Sequence, residues 1–207
     1  MQQFNKHYLV PAQEKGLQKD LHHTVKAEDI EDAEDLFIDA KERLLDVNNW
    51  QRSGTVLNAS FILTDINGKD LHRAARKGDY IRIEIQTAGT NTINGPDWLH
   101  IEAIEYDDYP DENTESFAVR VRPSTNPQNN DDATAHFFND IATSTFVIER
   151  IGSHVVSSYH GRNESSDTTA DENDSRSNMA AGRCAGVSGI QWKNLIIALI
   201  DDKQKQD

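Results

Sequence analysis

The densest group of side chains able to do chemistry is Tyr159-His160-Gly161-Arg162-Asn163-Glu164. An imidazole titrates close to neutral pH and serves as a general base. A guanidinium grips a carboxylate or phosphate through two parallel hydrogen bonds. Gly161, lacking a Cβ, lets a ligand come close to the backbone. His160, Arg162 and Glu164 are therefore the candidate catalytic trio, with Tyr159 and Asn163 beside them as ligand contacts. The plain alternative is a strand that ends in a polar turn, with Arg162 and Glu164 paired across it. Two distant groups could join this site in space: Asp97-Trp98-Leu99-His100, and His136 next to Phe137 and Phe138. Trp50 and Trp192, with Ile83, Ile101 and Val119, are the apolar residues expected to line a ligand pocket, and Trp98 and His136 are further candidate ligand contacts.

Other chemistry has little to stand on. The chain lacks G-x-S-x-G, H-E-x-x-H, C-x-x-C, G-x-x-x-x-G-K and a strand-linked G-x-G-x-x-G. No cofactor is expected. His22 and His23 are adjacent, whereas ligand histidines usually come one helical turn apart or from facing elements, so they read as solvated rather than as a metal half-site. The acidic stretch 105–115 lacks the spacing of a calcium loop, and no metal site is expected there. The single cysteine, Cys184, has no activating base nearby and is not a candidate nucleophile.

The chain has 207 residues, 35 acidic against 21 basic, and a formal net charge of −14. Such a field repels phosphate backbones and anionic lipid surfaces, so neither nucleic acid nor membrane is an expected partner. The longest apolar run, residues 195–200, is far below the ~20 residues of a membrane span. One cysteine and no signal-like N-terminal run point to a cytoplasmic protein.

The elements that must position these residues follow from periodicity. Residues 80–85, 98–104 and 116–122 alternate apolar and polar side chains. Ile81, Ile83, Ile85, Leu99, Ile101, Ala103, Phe117, Val119 and Val121 form the dry parity. Arg82, Glu84, His100, Glu102, Arg120 and Arg122 form the wet one. Further strands are expected at 55–65, 145–151 and 154–160, for about six in all. Ile30, Ala33, Phe37, Ala40, Leu44 and Val47 make one helical stripe over 28–47, with acids crowding its N-terminal half. A short helix is expected over 133–142 and a terminal helix from Ile190. The apolar residues of the terminal helix extend far enough round to imply burial on two sides or a homodimer contact. Residues 1–26 read as an N-terminal arm, 27–207 as one domain, and 164–189 as a long polar loop.

The expected class is α+β: a mainly antiparallel sheet or partly closed barrel, packed against an N-terminal and a C-terminal helix. A small SH3-like barrel over 55–123 with helical additions accounts for the central strands too. By element order, and by the corner Val47-Asn48-Asn49-Trp50, residues 28–65 and 188–202 resemble the START/polyketide-cyclase helix-grip superfamily. That resemblance implies a curved sheet around an apolar cavity beside the C-terminal helix. The helix expected at 133–142 departs from it. Three functions remain open: binding of a small, partly apolar molecule, hydrolysis or isomerisation through His160, and a scaffold that dimerises through its terminal helix.

Overall fold

The computed structural model describes residues 9–52, 59–85, 96–128, 141–164 and 189–201. Strand β1 (Leu17–Lys26) leads into helix α1 (Ile30–Leu45) and a 3₁₀ turn, Val47–Arg52. Strands β2 (Ala59–Thr64), β3 (Tyr80–Ile85), β4 (Asp97–Tyr109), β5 (Thr114–Ser124), β6 (Thr143–Ile151) and β7 (His154–Glu164) follow, and helix α2 (Gly189–Ile200) comes last. All seven strands pair antiparallel in one open sheet of order β1-β7-β6-β5-β4-β3-β2. The protein is α+β. The barrel over 55–123 is not formed: β2 is an edge strand, and β5 passes on to β6 instead of closing on β2.

Helix α1 starts where Asp29 accepts a hydrogen bond from the Asp32 amide at 3.0 Å, which satisfies one of the unpaired donors of the first turn. Ala33, Phe37, Ala40 and Leu44 bury its stripe, while Ile30 at the entrance is 43% exposed. Trp50 turns back under the helix and donates from Nε1 to the Leu44 carbonyl at 3.2 Å. Helix α2 packs against α1 and over β1 and β7. Trp192, Leu195, Ile196, Ala198, Leu199 and Ile200 are all buried. Most of the described apolar side chains of α2 are thus covered within a single chain, and Ile197 is half-buried.

The two sides of the sheet differ as alternation requires, with three departures. Residues 17–26, expected as part of an arm, form edge strand β1, in register with β7 from Lys19↔Gly161 to Lys26↔His154. A bulge interrupts β4: Ile101 faces Val121, but Ala103 faces Arg120 and Ile104 faces Val119. An extra residue inverts parity beyond it. Ala103 therefore leaves the helix-facing side and is buried on the far side with Leu9, Val10, Ala118 and Val147. The far side is not uniformly wet, because the N-terminal segment covers part of it. Glu102 there receives hydrogen bonds from Arg120 and Arg122. Lastly, the stretch 105–115 is mostly strand. β4 and β5 stay paired out to Tyr109↔Thr114 around a single 3₁₀ turn, Pro110–Glu112. The helix expected at 133–142 lies outside the described residues except for 141–142, which are not helical. The loop at 164–189 also lies outside them, apart from its two ends.

Candidate functional site

Strand β7 carries the chemical residues, and its pleat sorts them onto two sides. Successive side chains of a strand point in opposite directions, and residues opposite one another on paired strands point the same way. Tyr159, opposite Phe146 and Leu21, therefore faces the helices. His160, opposite Thr145 and Asp20, faces the far side.

On the helix-facing side Tyr159 is fully buried, its ring stacked on Trp192 at 5.6 Å and against Phe146 at 5.3 Å. Trp50 touches Phe61 and Phe146, at 5.3 and 5.6 Å, and Trp192 touches Phe61 and Phe146, at 5.9 and 5.2 Å. Trp50, Trp192, Ile83, Ile101 and Val119 do share one region, as expected, but as a packed aromatic and aliphatic core. The Tyr159 hydroxyl leaves this core, donates to Glu164 Oε1 at 2.8 Å and meets Ser144 Oγ at 3.1 Å. A Cβ at 161 would collide with the Glu164 carboxyl, so glycine there makes room for it. Burial pushes the Glu164 carboxyl above its ordinary range, partly offset by the Tyr159 hydrogen bond. Among the described residues Glu164 Oε2, Ser157 Oγ and Trp192 Nε1 are buried without a hydrogen-bond partner.

A bulge at Asn163, within β7, explains how Glu164 gets there. Asn163 has a φ of 57°, in the left-handed region that asparagine tolerates better than most residues. The β1–β7 register shifts at this place. Asn163 Oδ1 accepts from the amides of Glu14 and Lys15 at 2.7 and 3.1 Å, and its own amide donates to Gln13 Oε1 at 2.9 Å. Its polar atoms thus clip the N-terminal segment to the sheet.

On the far side, Asp20 gathers the other two candidates. Its Oδ1 lies 2.6 Å from His160 Nδ1 and 2.6 Å from an Arg162 terminal nitrogen. Burial alone would raise the Asp20 carboxyl, yet hydrogen bonds from Gln18, His160 and Arg162 hold it at about 2. A carboxylate this acidic only accepts, so His160 Nδ1 carries the proton. In neutral imidazole Nε2 is then left to accept from the Ser158 hydroxyl at 3.0 Å. Arg162 is 2% exposed, and its Nε, with the hydroxyls of Thr143 and Thr145, has no partner among the described residues.

His160 and Arg162 are therefore brought together, while Glu164 stands on the opposite side of the sheet. Asp97 and Trp98 begin β4, three strands from β7 or roughly 14 Å away. Trp98 pairs in register with Arg82 and so faces away from Trp50 and Trp192. His136 lies outside the described residues. The sequence reading missed Asp20, Ser158 and Ser144. The i, i+2 spacing of Ser158 and His160 would have placed those two on one side. Asp20 and Ser144 needed the strand partners. Among the described residues no three His, Cys, Asp or Glu side chains are placed to hold a metal ion, and no helix is long and apolar enough to cross a membrane.

No family model and no curated protein matches the chain. Among solved structures, a hypothetical protein from Helicobacter pylori aligns over 97% of this chain and 95% of its own, with 11% identity and a TM-score of 0.49. Major latex-like protein 151 from Panax ginseng aligns over 89% and 93%, with 12% identity and a TM-score of 0.36. Truncated norcoclaurine synthase from Thalictrum flavum aligns over 73% and 81%, with 9% identity and a TM-score of 0.33.

Proposed function

We propose that the protein binds a small, partly apolar molecule on the helix-facing side of β7, next to Tyr159 and Glu164. One observation carries this reading: a buried carboxyl, Glu164, keeps one oxygen without a partner among the described residues, at the margin of an aromatic core. Leaving a buried polar group unpaired costs ~1–3 kcal/mol, so such groups call for an explanation. A ligand that pairs with Glu164 Oε2, and with Trp192 Nε1 or Ser157 Oγ, supplies it. Burial shifts Glu164 toward its neutral form, and a neutral carboxyl presents a hydroxyl donor. The matching ligand group is an uncharged acceptor, such as a carbonyl or ether oxygen, on a small aromatic or alicyclic body that enters beside Glu164 at the margin of this core.

The test is a thermal-shift screen with aromatic and alicyclic ketones, alcohols and amines. Ketones are expected to raise the melting temperature of the native protein. Glu164→Leu, similar in size but unable to donate, should abolish that shift. If no compound stabilises the protein, or if Glu164→Leu responds like the native chain, the proposal fails.

A further inference from the structure

We infer that Ser158, His160 and Asp20, on the opposite side of β7 from the proposed ligand, form a nucleophile–base–carboxylate chain able to hydrolyse short carboxylic esters. The connections run in the required order. Ser158 Oγ lies 3.0 Å from His160 Nε2, and His160 Nδ1 lies 2.6 Å from Asp20 Oδ1. Asp20 is itself fixed by Gln18 Nε2 at 2.7 Å and by Arg162 at 2.6 Å. It is a positioning residue: it selects the tautomer that leaves Nε2 to take a proton. Such chains are recognised by geometry and role, not by fold or residue order. Ser158 is 5% exposed, and 21% of the His160 side chain is exposed.

The same patch holds a hydrogen-bond donor for an oxyanion. Thr145, directly opposite His160 and diagonal to Ser158, has a buried hydroxyl without a partner among the described residues. Donors already aimed at developing negative charge are the usual means of stabilising a tetrahedral intermediate.

The reaction balances with water as the only co-reactant. Ser158 Oγ bonds to the ester carbonyl carbon as its proton passes to His160 Nε2. The ester C–O bond breaks, and the Nε2 proton leaves with the alcohol. Water then attacks the acyl carbon, giving its proton to Nε2. The bond to Ser158 Oγ breaks, the carboxylic acid departs, and the serine recovers its proton from Nε2.

The experiment uses the full chain with p-nitrophenyl acetate, together with a fluorophosphonate probe mapped by peptide mass spectrometry. The expected result is turnover above the imidazole background, phosphonylation at Ser158, and a loss of about a hundredfold or more in kcat for Ser158→Ala and His160→Gln. Asp20→Asn should lower kcat with little change in KM and displace the pH profile, which loss of packing alone would not do. Adduct mapping on the native protein decides the matter even if a variant fails to fold. A chain that serves structure alone would give no adduct at Ser158, or turnover that Ser158→Ala leaves intact, and either result overturns the inference. Adduct formation at Ser158 and thermal stabilisation by ketones are separate readouts, so the two proposals stand or fall separately.

Discussion

Replacing Tyr159 by phenylalanine removes one oxygen and keeps the ring that packs on Trp192 and Phe146. That oxygen lies between Ser144 Oγ at 3.1 Å and Glu164 Oε1 at 2.8 Å. Tyr159 and Ser144 are fully buried and Glu164 is 3% exposed, so water has little access to replace it. Two hydrogen bonds at ~1 kcal/mol each set the lower bound of the loss. The stranded Ser144 hydroxyl and Glu164 carboxyl add a further ~1–2 kcal/mol. The expected destabilisation is therefore about 2–4 kcal/mol, or about 4–16 °C in melting temperature for a chain of this length. The loss should also depend on pH. Glu164 titrates above its ordinary value of 4.5 in the folded protein, because of burial, and the Tyr159 hydrogen bond lowers it. Without that bond it rises further. Above pH 4.5 the native state then holds more protons than the unfolded state, and stability falls as pH rises. The penalty of Tyr159→Phe should accordingly be larger at pH 8 than at pH 4. Urea denaturation followed by circular dichroism measures both quantities. Ser144→Ala combined with Tyr159→Phe should cost less than the two single losses added together, because the serine is no longer stranded. A Tyr159→Phe cost below about 0.5 kcal/mol that does not vary with pH would refute the buried relay.

Two further outcomes can be checked in the same assay. Arg150 has a side chain only 4% exposed, held by Glu115 at 2.6 Å and Glu34 at 3.4 Å. Arg150→Ala leaves the largely buried Glu115 without a cation, held only by the Tyr106 hydroxyl at 2.9 Å, and should cost ~3 kcal/mol, whereas Arg150→Met should cost less. Glu149 is pushed up to about 7 by burial. Its native state keeps a proton that the unfolded state has lost, so stability should decline between pH 4.5 and 7 as this group ionises. Glu149→Gln should flatten that decline, and an unchanged slope in the variant would argue against the assignment.

Much of the sheet was legible because burial on one side writes a period of two into the sequence. Ile81, Ile83, Leu99, Ile101, Val119 and Val121 are buried together, as their alternation predicts. The stripe Ala33, Phe37, Ala40 and Leu44 likewise marked α1, and Trp50 marked its return to the core. β1 was missed because it is an edge strand dominated by polar residues, Leu17 to Lys26, with few apolar side chains to reveal a period. The bulge after Ile101 left no composition signal, so Ala103 was assigned to the wrong side.

The run from Tyr159 to Glu164 shows where local pattern stops. Its residue types alone marked a place with chemistry. They also implied, by adjacency, that His160, Arg162 and Glu164 act together. The pleat separates His160 from Tyr159, and the left-handed residue Asn163 shifts the register so that the Glu164 carboxyl lies against Gly161. Asp20 reaches His160 across 140 residues of chain, and Ser144 reaches Tyr159 from the neighbouring strand. Alternation is a property of a few consecutive residues and survives in the sequence. Which strand lies beside which is decided by packing and backbone pairing summed over the whole sheet, and the partners of a catalytic or binding side chain follow from that sum.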